Sequence, residues 1–388
     1  MRMYSVPDTT EIITEASRLT QVIDELMTAP RVSLDIESDG FYNYAERVCI
    51  VTLSSEGRDY VVDTLAVGKA SVELGRITSR PGTPLLMHSG QNDVLALKRD
   101  YSLNFGSVQD TSVAAMLLDL PHTGLAALVE AYLGMQLEKE LQRHDWSRRP
   151  IERHHVQYLV NDTRHLFRLH DLMHEELRKL DLLDEYEIEC RAVAASEPRG
   201  REFDPDRFRR IKGHGELSEQ QRGVLKALYA WRNGLARELD RAPFRIISDQ
   251  TLLDIARQLP HTPEQLAAMR GVGEWLVNEQ AAAMLEAVSG GMASPANMRP
   301  PRRNEPPAPR MDPRQRDTLG KLKRWREREK EARRVGLQAI LPTAVLKDLV
   351  LAPPHSIEEL AENPRIGQAR AKRYGPELLK LLNGRKER

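Results

Sequence analysis

The chain has 388 residues, of which 40% are hydrophobic and 29% charged, enough for two or three domains and outside the range of a wholly disordered chain. Two cysteines, Cys49 and Cys190, cannot build a disulfide framework or a cysteine-rich zinc site; no run nears the roughly 18 apolar residues of a membrane helix, and the first residues lack the apolar stretch of a secretory signal, so the expectation is a cytoplasmic protein without a membrane partner. The net charge of zero conceals an imbalance: residues 1–190 hold 19 Lys and Arg against 31 Asp and Glu, and residues 191–388 hold 38 against 26. An acidic half joined to a basic half implies two tasks, holding cations and gripping a polyanion, unless the surplus only solvates helix faces.

In chain order, Val32 to Ile36 (VSLDI) predicts a short strand. Val48 to Leu53 (VCIVTL) and Tyr60-Val61-Val62 predict two more, joined by a turn at Ser54-Ser55-Glu56-Gly57. Pro84 to Met87 is a fourth apolar run. Helical patterns cover 91–100, 111–119, 124–134 and 152–180. Early strands followed by alternation predict an α/β domain with a mixed sheet and flanking helices over residues 1–195. After a connector at 196–215 no strand pattern occurs. Helices with N-caps at Ser218, Ser248 and Thr262 fill 216–288. Residues 289–314, rich in Gly, Pro and Arg, predict a flexible linker. Helices resume over 315–388. There Trp325-Arg326 repeats Trp231-Arg232, Ile340 repeats Ile246, Leu346 repeats Leu252, Pro354-His355 repeats Pro260-His261 and Gly367 repeats Gly273, all at an offset of 94. This is a tandem repeat of one small helical domain, and two copies separated by a linker predict beads.

Three segments carry candidate chemistry. Asp35-Ile36-Glu37 sets two carboxylates at i and i+2, on one face of a strand. Such a pair is either a solvated edge or a seat for a hard divalent cation. Asp93 follows the PLLM run at the start of a helix, where an acid also suits the helix dipole. Tyr158 and Asp162 are i and i+4 on a helix and share a face; alone they also fit a packed tyrosine beside a surface acid. His88 reads as a structural hydrogen-bonding residue. Jointly, the acids on strand, helix start and late helix supply ligands for two metal ions about 3.5–4 Å apart, the arrangement for phosphodiester cleavage.

With VSLDIESDGFY, LLMHSGQNDVLAL and YLVNDTRHL in this order, and QDTSVAAMLL, GLAALVEAYLG and DWSRRPI between them, residues 20–190 resemble ribonuclease D and the wider DEDD 3′–5′ exonuclease superfamily, tyrosine subtype, which has a ribonuclease H-like fold. The histidine subtype requires a His where Gln157 stands. The resemblance implies that Asp35, Glu37, Asp93 and Asp162 ligate two Mg²⁺ or Mn²⁺ ions and that Tyr158 positions the attacking water. It implies no small-molecule organic cofactor. Leu159-Val160, His155 and Ser38 depart from the usual pattern without touching the ligand set. The repeated segment resembles the HRDC domain of ribonuclease D and RecQ helicases, the second copy being more divergent, with Pro342-Thr343 in place of Ser248-Asp249. Trp231 and Trp325 read as core anchors.

The implied function is 3′–5′ exoribonuclease activity releasing nucleoside 5′-monophosphates from RNA with a free 3′ end, structured RNA such as tRNA precursors being the family expectation. A DNA 3′–5′ exonuclease and a non-catalytic nucleic-acid-binding protein are the alternatives; the complete acid set argues against the second. Residues 299–334 hold 14 Lys and Arg against 6 Asp and Glu. Arg302, Arg303, Arg310, Arg314, Arg316, Lys321, Lys323 and Arg324 are therefore candidate phosphate contacts. A fragment ending near residue 200 keeps every implied ligand, so the sequence predicts that it still cleaves a short oligonucleotide.

Overall fold

A computed structural model describes residues 10–138, 140–198, 200, 202–297 and 311–383. They form two compact units. One contains the described residues up to Ser38, from Val48 to Pro198 and from Met311 onward; the other contains Asp39–Arg47 and the described residues from 200 to 297.

The first unit is built on β1 (Thr10–Ile13), α1 (Ala16–Thr28), β2 (Val32–Ser38), β3 (Val48–Ser55), β4 (Arg58–Asp63), the single turns α2 (Thr64–Val67) and α3 (Gly75–Thr78), β5 (Leu85–Met87), α4 (Gln91–Tyr101), β6 (Val108–Asp110), α5 (Thr111–Leu117), α6 (Leu125–Leu133), α7 (Arg153–Arg164), α8 (Leu166–Lys179) and α9 (Leu183–Ala194). The six strands lie in the order β1-β4-β3-β2-β5-β6. The β2-β3 and β3-β4 pairs are antiparallel and the rest parallel, as the mixed-sheet expectation required. β3 sits inside the sheet and is buried from Val48 to Ser54, which suits its unbroken run of β-branched and apolar residues. Gly57, at φ +99°, closes the β3-β4 hairpin. Two strands had no sequence signal: β1 and β6 have four and three residues, too few for a two-residue period to register. The helical pattern at 152–180 divides into α7 and α8 at His165, with no Pro or Gly to mark the break.

The second unit holds α10 (Glu219–Glu238), α11 (Pro243–Ile246), α12 (Asp249–Gln258), α13 (Pro263–Ala267) and α14 (Glu274–Ala293). Ser218, Ser248 and Thr262 each accept a backbone N–H at the start of α10, α12 and α13, satisfying donors that a helix start leaves open. Val224, Leu228, Leu252, Ile255, Leu266 and Met284 form its core. The β2-β3 connection belongs to this unit: Tyr42 O accepts from Ala242 N at 2.9 Å and Tyr44 Oη donates to Asn233 Oδ1 at 3.0 Å. α14 continues to Ala293, so the segment expected to be linker begins as helix. Most of the rest of that segment, residues 298–310, lies outside the described residues.

The second helical copy comprises α15 (Pro313–Arg333), α16 (Leu337–Ile340), α17 (Thr343–Leu351), α18 (Ile357–Glu362) and α19 (Gly367–Asn383). The repeat is visible in a buried latch. Arg232 Nη1 donates to Ile247 O at 2.9 Å, and Arg326 Nη1 donates to Leu341 O at 2.8 Å, both partners displaced by the same offset. The bead expectation fails for this copy. Trp325, Leu346, Leu349 and Tyr374 share one core with Leu117, Leu169, Met173, Leu177 and Tyr186 of α5, α8 and α9.

Ion pairs reinforce that seam. Glu189 receives Arg365 at 2.7 Å and Arg370 at 3.0 Å; Glu185 receives Arg373 at 2.6 Å; Asp119 receives Lys330 at 2.9 Å. Gly336 N donates to Leu117 O at 2.7 Å, and a Cβ at Gly336 would stand 1.8 Å from Met116 O, so only glycine permits this approach. Part of the charge imbalance between the halves is thus spent within the molecule. The fragment expectation is corrected as well. A chain ending near residue 200 exposes the α5, α8 and α9 faces, at about 1.5–3 kcal/mol for each large apolar side chain, against a typical total stability of about 5–15 kcal/mol.

Candidate active site

β2 supplies Asp35 and Glu37. Their registers opposite Thr52 and Ile50 of β3 fix both on one face, and a register shift between Glu37 and Ser38 ends regular pairing just past the second acid. α7 lies across this region and brings Asp162. Its C-terminal end is pinned through Thr163: Ser33 Oγ donates to Thr163 O at 3.0 Å, Ser54 Oγ lies 2.7 Å from Thr163 Oγ1 and 2.6 Å from Asp59 Oδ1, and Arg164 pairs with Asp59. One carboxylate oxygen from each of Asp35, Glu37 and Asp162 falls within 4.8 Å of the others.

Asp93 stands in the first turn of α4. It lies outside that closest trio, but its charge raises the pKa values of both Asp35 and Glu37. The turn before it is set by Asp110, which accepts Ser89 N at 3.0 Å and Gly90 N at 2.8 Å while capping α5 through Ser112 N at 2.8 Å. Gly90 is needed here, because a Cβ would meet Met87 at 2.8 Å. His88 plays the structural part read for it: Nδ1 lies 2.9 Å from Thr111 Oγ1.

All four acids are half-buried. Burial, then the charges of Asp93, Asp162 and Glu37, hold Asp35 well above the usual carboxylate range. Burial, Asp162 and Asp93 do the same to Glu37, opposed by the Trp146 indole. Asp93 is pushed up to about 8 by burial, Asp110 and Asp162, and Asp162 to about 7 by burial. Burial first, then the three nearby acids, raises Tyr158 and keeps its hydroxyl protonated. Among the described residues, none of the four carboxylates is paired with a Lys or Arg. Acids crowded this way, without basic partners, fit hard divalent cations, whose charge offsets both repulsion and desolvation.

The sequence pointed to four acids and Tyr158, and the structure assembles them on β2, α4 and α7. It did not single out Asp110, which shapes the Asp93 turn, or Trp146, whose ring stacks on Tyr158 at 5.9 Å and 26°. The signal for both was their place inside QDTSVAAMLL and DWSRRPI. Of the candidate phosphate contacts, Arg314, Arg316, Lys321, Lys323 and Arg324 are exposed along α15, Lys321 being paired with Asp317 at 2.8 Å. Arg302, Arg303 and Arg310 lie outside the described residues.

Residues 10–178 match the family described as 3'-5' exonuclease, and residues 221–288 and 315–382 each match the HRDC domain. A ribonuclease D of Gluconacetobacter diazotrophicus is 28% identical over 304 residues, 78% of this chain and 77% of that protein. The catalytic core of RRP6 from Trypanosoma brucei has a TM-score of 0.67 at 26% identity, covering 75% of this chain and 82% of that one. Escherichia coli RNase D shares the fold over 99% of this chain and 100% of its own, with a TM-score of 0.66 at 21% identity. A mixed ribonuclease H-like sheet with these acids at its face defines the 3′–5′ exonuclease class. With two HRDC domains after it, the chain is similar to ribonuclease D over most of its length and is a 3′–5′ exoribonuclease.

Proposed function

We propose that the chain trims the 3′ ends of structured RNA, tRNA precursors included, in the cytoplasm. On this reading it releases nucleoside 5′-monophosphates and holds two Mg²⁺ or Mn²⁺ ions between Asp35, Glu37, Asp93 and Asp162. The observation that carries this is the trio of carboxylates within 4.8 Å of one another. When bound, the cations lower the pKa of the attacking water and stabilise the leaving 3′ oxygen. Tyr158, kept protonated by its surroundings, orients that water through its hydroxyl. The two cysteines are buried free thiols, and no covalent enzyme intermediate is invoked. The RNA class follows the description of Escherichia coli RNase D as an exoribonuclease involved in structured RNA processing. Arg314, Arg316, Lys321, Lys323 and Arg324 supply sequence-independent affinity for backbone phosphates, and Arg302, Arg303 and Arg310 belong to the same basic segment.

The test is cleavage of end-labelled, matched RNA and DNA oligonucleotides with Mn²⁺ or Mg²⁺. Asp35→Ala and Asp162→Ala should each leave almost no activity, and turnover within about tenfold of wild type refutes the two-cation reading. Tyr158→Phe should lose on the order of 10²-fold. Equal rates on DNA would favour a general 3′–5′ exonuclease. In an Asp35→Ala background, replacing Arg314, Lys321 and Arg324 with Ala should flatten the log–log salt dependence of RNA binding by about 2–3; an unchanged slope removes α15 from the RNA path.

A further inference from the structure

α11 of the first HRDC copy and the β2-β3 connection, both in the second unit, bring two aromatic rings and an arginine together on the surface. Phe244 is 49% exposed and Phe41 is 39% exposed, with ring centroids 5.1 Å apart. The Arg245 guanidinium sits 4.8 Å from the Phe41 centroid and 4.0 Å from that of Tyr42, and its Nε donates to Phe41 O at 2.8 Å. Among the described residues no carboxylate pairs with Arg245, so its charge is available to an anion. The loop carrying Phe41 and Tyr42 is fixed by Asp39, which is fully buried and accepts from Arg47 N at 2.6 Å, Arg47 Nε at 2.9 Å and Asn43 Nδ2 at 2.7 Å. The rings are therefore in place before a ligand arrives, and little ordering entropy is lost on binding.

The HRDC module does not need this surface in order to fold. At the offset of 94, Phe244 and Arg245 correspond to Gln338 and Ala339 of α16, while the next residue is an isoleucine, buried in both copies. Ala339 is fully buried in the core shared with α5, where the first copy exposes its arginine. A rigid, exposed pair of rings with an unspent guanidinium suits a planar group joined to an anion, as in an unpaired nucleotide. The chain from Glu37 to Phe41 is four residues, a reach of at most about 14 Å. A strand whose end is held by the acids can therefore offer its neighbouring bases to Phe41.

We propose that Phe41, Phe244 and Arg245, with the guanidinium held against Tyr42, form a stacking platform for unpaired bases close to the 3′ end of the RNA. The rings take base faces, and Arg245 meets the adjoining phosphate. A base-paired end cannot use the platform, because its bases are already stacked within a helix, so an unpaired tail becomes a requirement for tight binding. This rests on the reading of RNA as the substrate.

The test measures binding of a short single-stranded RNA to the full-length Asp35→Ala protein, which leaves the RNA uncut. The same RNA is also made with an abasic nucleotide at each of its last few positions in turn. Adding Phe41→Leu and Phe244→Leu together should weaken binding of the intact RNA by about tenfold or more. An abasic site that costs the parent a similar factor should cost this variant little. Phe41→Tyr with Phe244→Tyr keeps both rings and should bind as the parent does, and thermal melting should be the same for all. Arg245→Met, at an exposed position, should weaken binding and flatten the log–log salt dependence by about 0.7. Parental affinity in both the leucine and the Arg245→Met proteins overturns the proposal, as does an abasic penalty that the leucine changes leave intact. Failure of the RNA reading would show differently, as no measurable binding of RNA by the parent.

Discussion

The two HRDC copies keep the same internal device and differ in what surrounds it. In the first copy, Arg232 binds Ile247 O and is also paired with Asp249 at 2.8 Å. In the second, Arg326 binds Leu341 O, but the position of Asp249 is taken by Thr343, whose Oγ1 accepts at 3.0 Å in place of a carboxylate. The first copy closes a core of its own. The second closes its core only together with α5, α8 and α9. Arg365, Arg370 and Arg373, which bind α9, stand where the first copy has Gly271, Leu276 and Glu279. A repeat conserves what folds the module and changes its outward face, so a shared name for two domains does not imply a shared job.

The strongest way to break this comparison is to remove one copy at a time. A chain ending at 297 should give little folded protein, because it strips the cover from Leu169, Met173, Leu177 and Tyr186. A chain in which residues 205–297 are replaced by a flexible linker should retain the exonuclease core and cleave a short oligonucleotide. Circular dichroism and a cleavage assay read both, and equal stability of the two chains would overturn the division of labour.

Point substitutions sharpen it. Arg370 is fully buried and donates to Glu189, Gln338 O and Arg365 O, so Arg370→Ala should cost about 3–5 kcal/mol and lower the melting temperature of the catalytic unit. Arg232→Ala should cost about 1–3 kcal/mol, confined to the first copy, with short-oligonucleotide cleavage intact. If both changes depress cleavage equally, the copies are not distinct in this respect.

The smallest effect is a pH dependence. In the metal-free fold, Asp93 and Asp162 titrate at about 8 and about 7, above the ordinary aspartate value near 4. The folded state then holds more protons than the unfolded state between about pH 4 and 8. The catalytic unit should lose stability as pH rises through that window. Mn²⁺ should remove most of the loss, and the first HRDC copy should show none of it. Calorimetry with and without Mn²⁺ checks this; metal-free stability that rises with pH contradicts the crowded-acid description.

The active site was legible because its geometry is local. A two-residue period places Asp35 and Glu37 together, four residues of helix place Tyr158 beside Asp162, and an apolar strand before a helix start places Asp93. The seam under α9 was not. Arg370 and Glu189 are 181 residues apart, and on its own helix each reads as an ordinary solvated charge. The same distance hides the role of Gly336, which only the opposing Leu117 carbonyl explains. Trp146 fell between these cases: its segment was conspicuous, but its stacking on Tyr158 exists only in three dimensions.

The placement of the second copy has a consequence for synthesis. All the acids of the site have been translated once residue 162 is made, yet the core below α8 and α9 waits for Tyr374 on α19. At roughly 5–20 residues per second, that is a delay of about 10–40 s. Throughout it the ribosome carries a nuclease whose parts are present and whose support is not. The nascent chain is therefore expected to lack cleavage activity until the last helices emerge. Stalled chains ending at 297 should be cut by added protease within α8 and α9, whereas chains extended far enough to free α19 from the ribosome should resist.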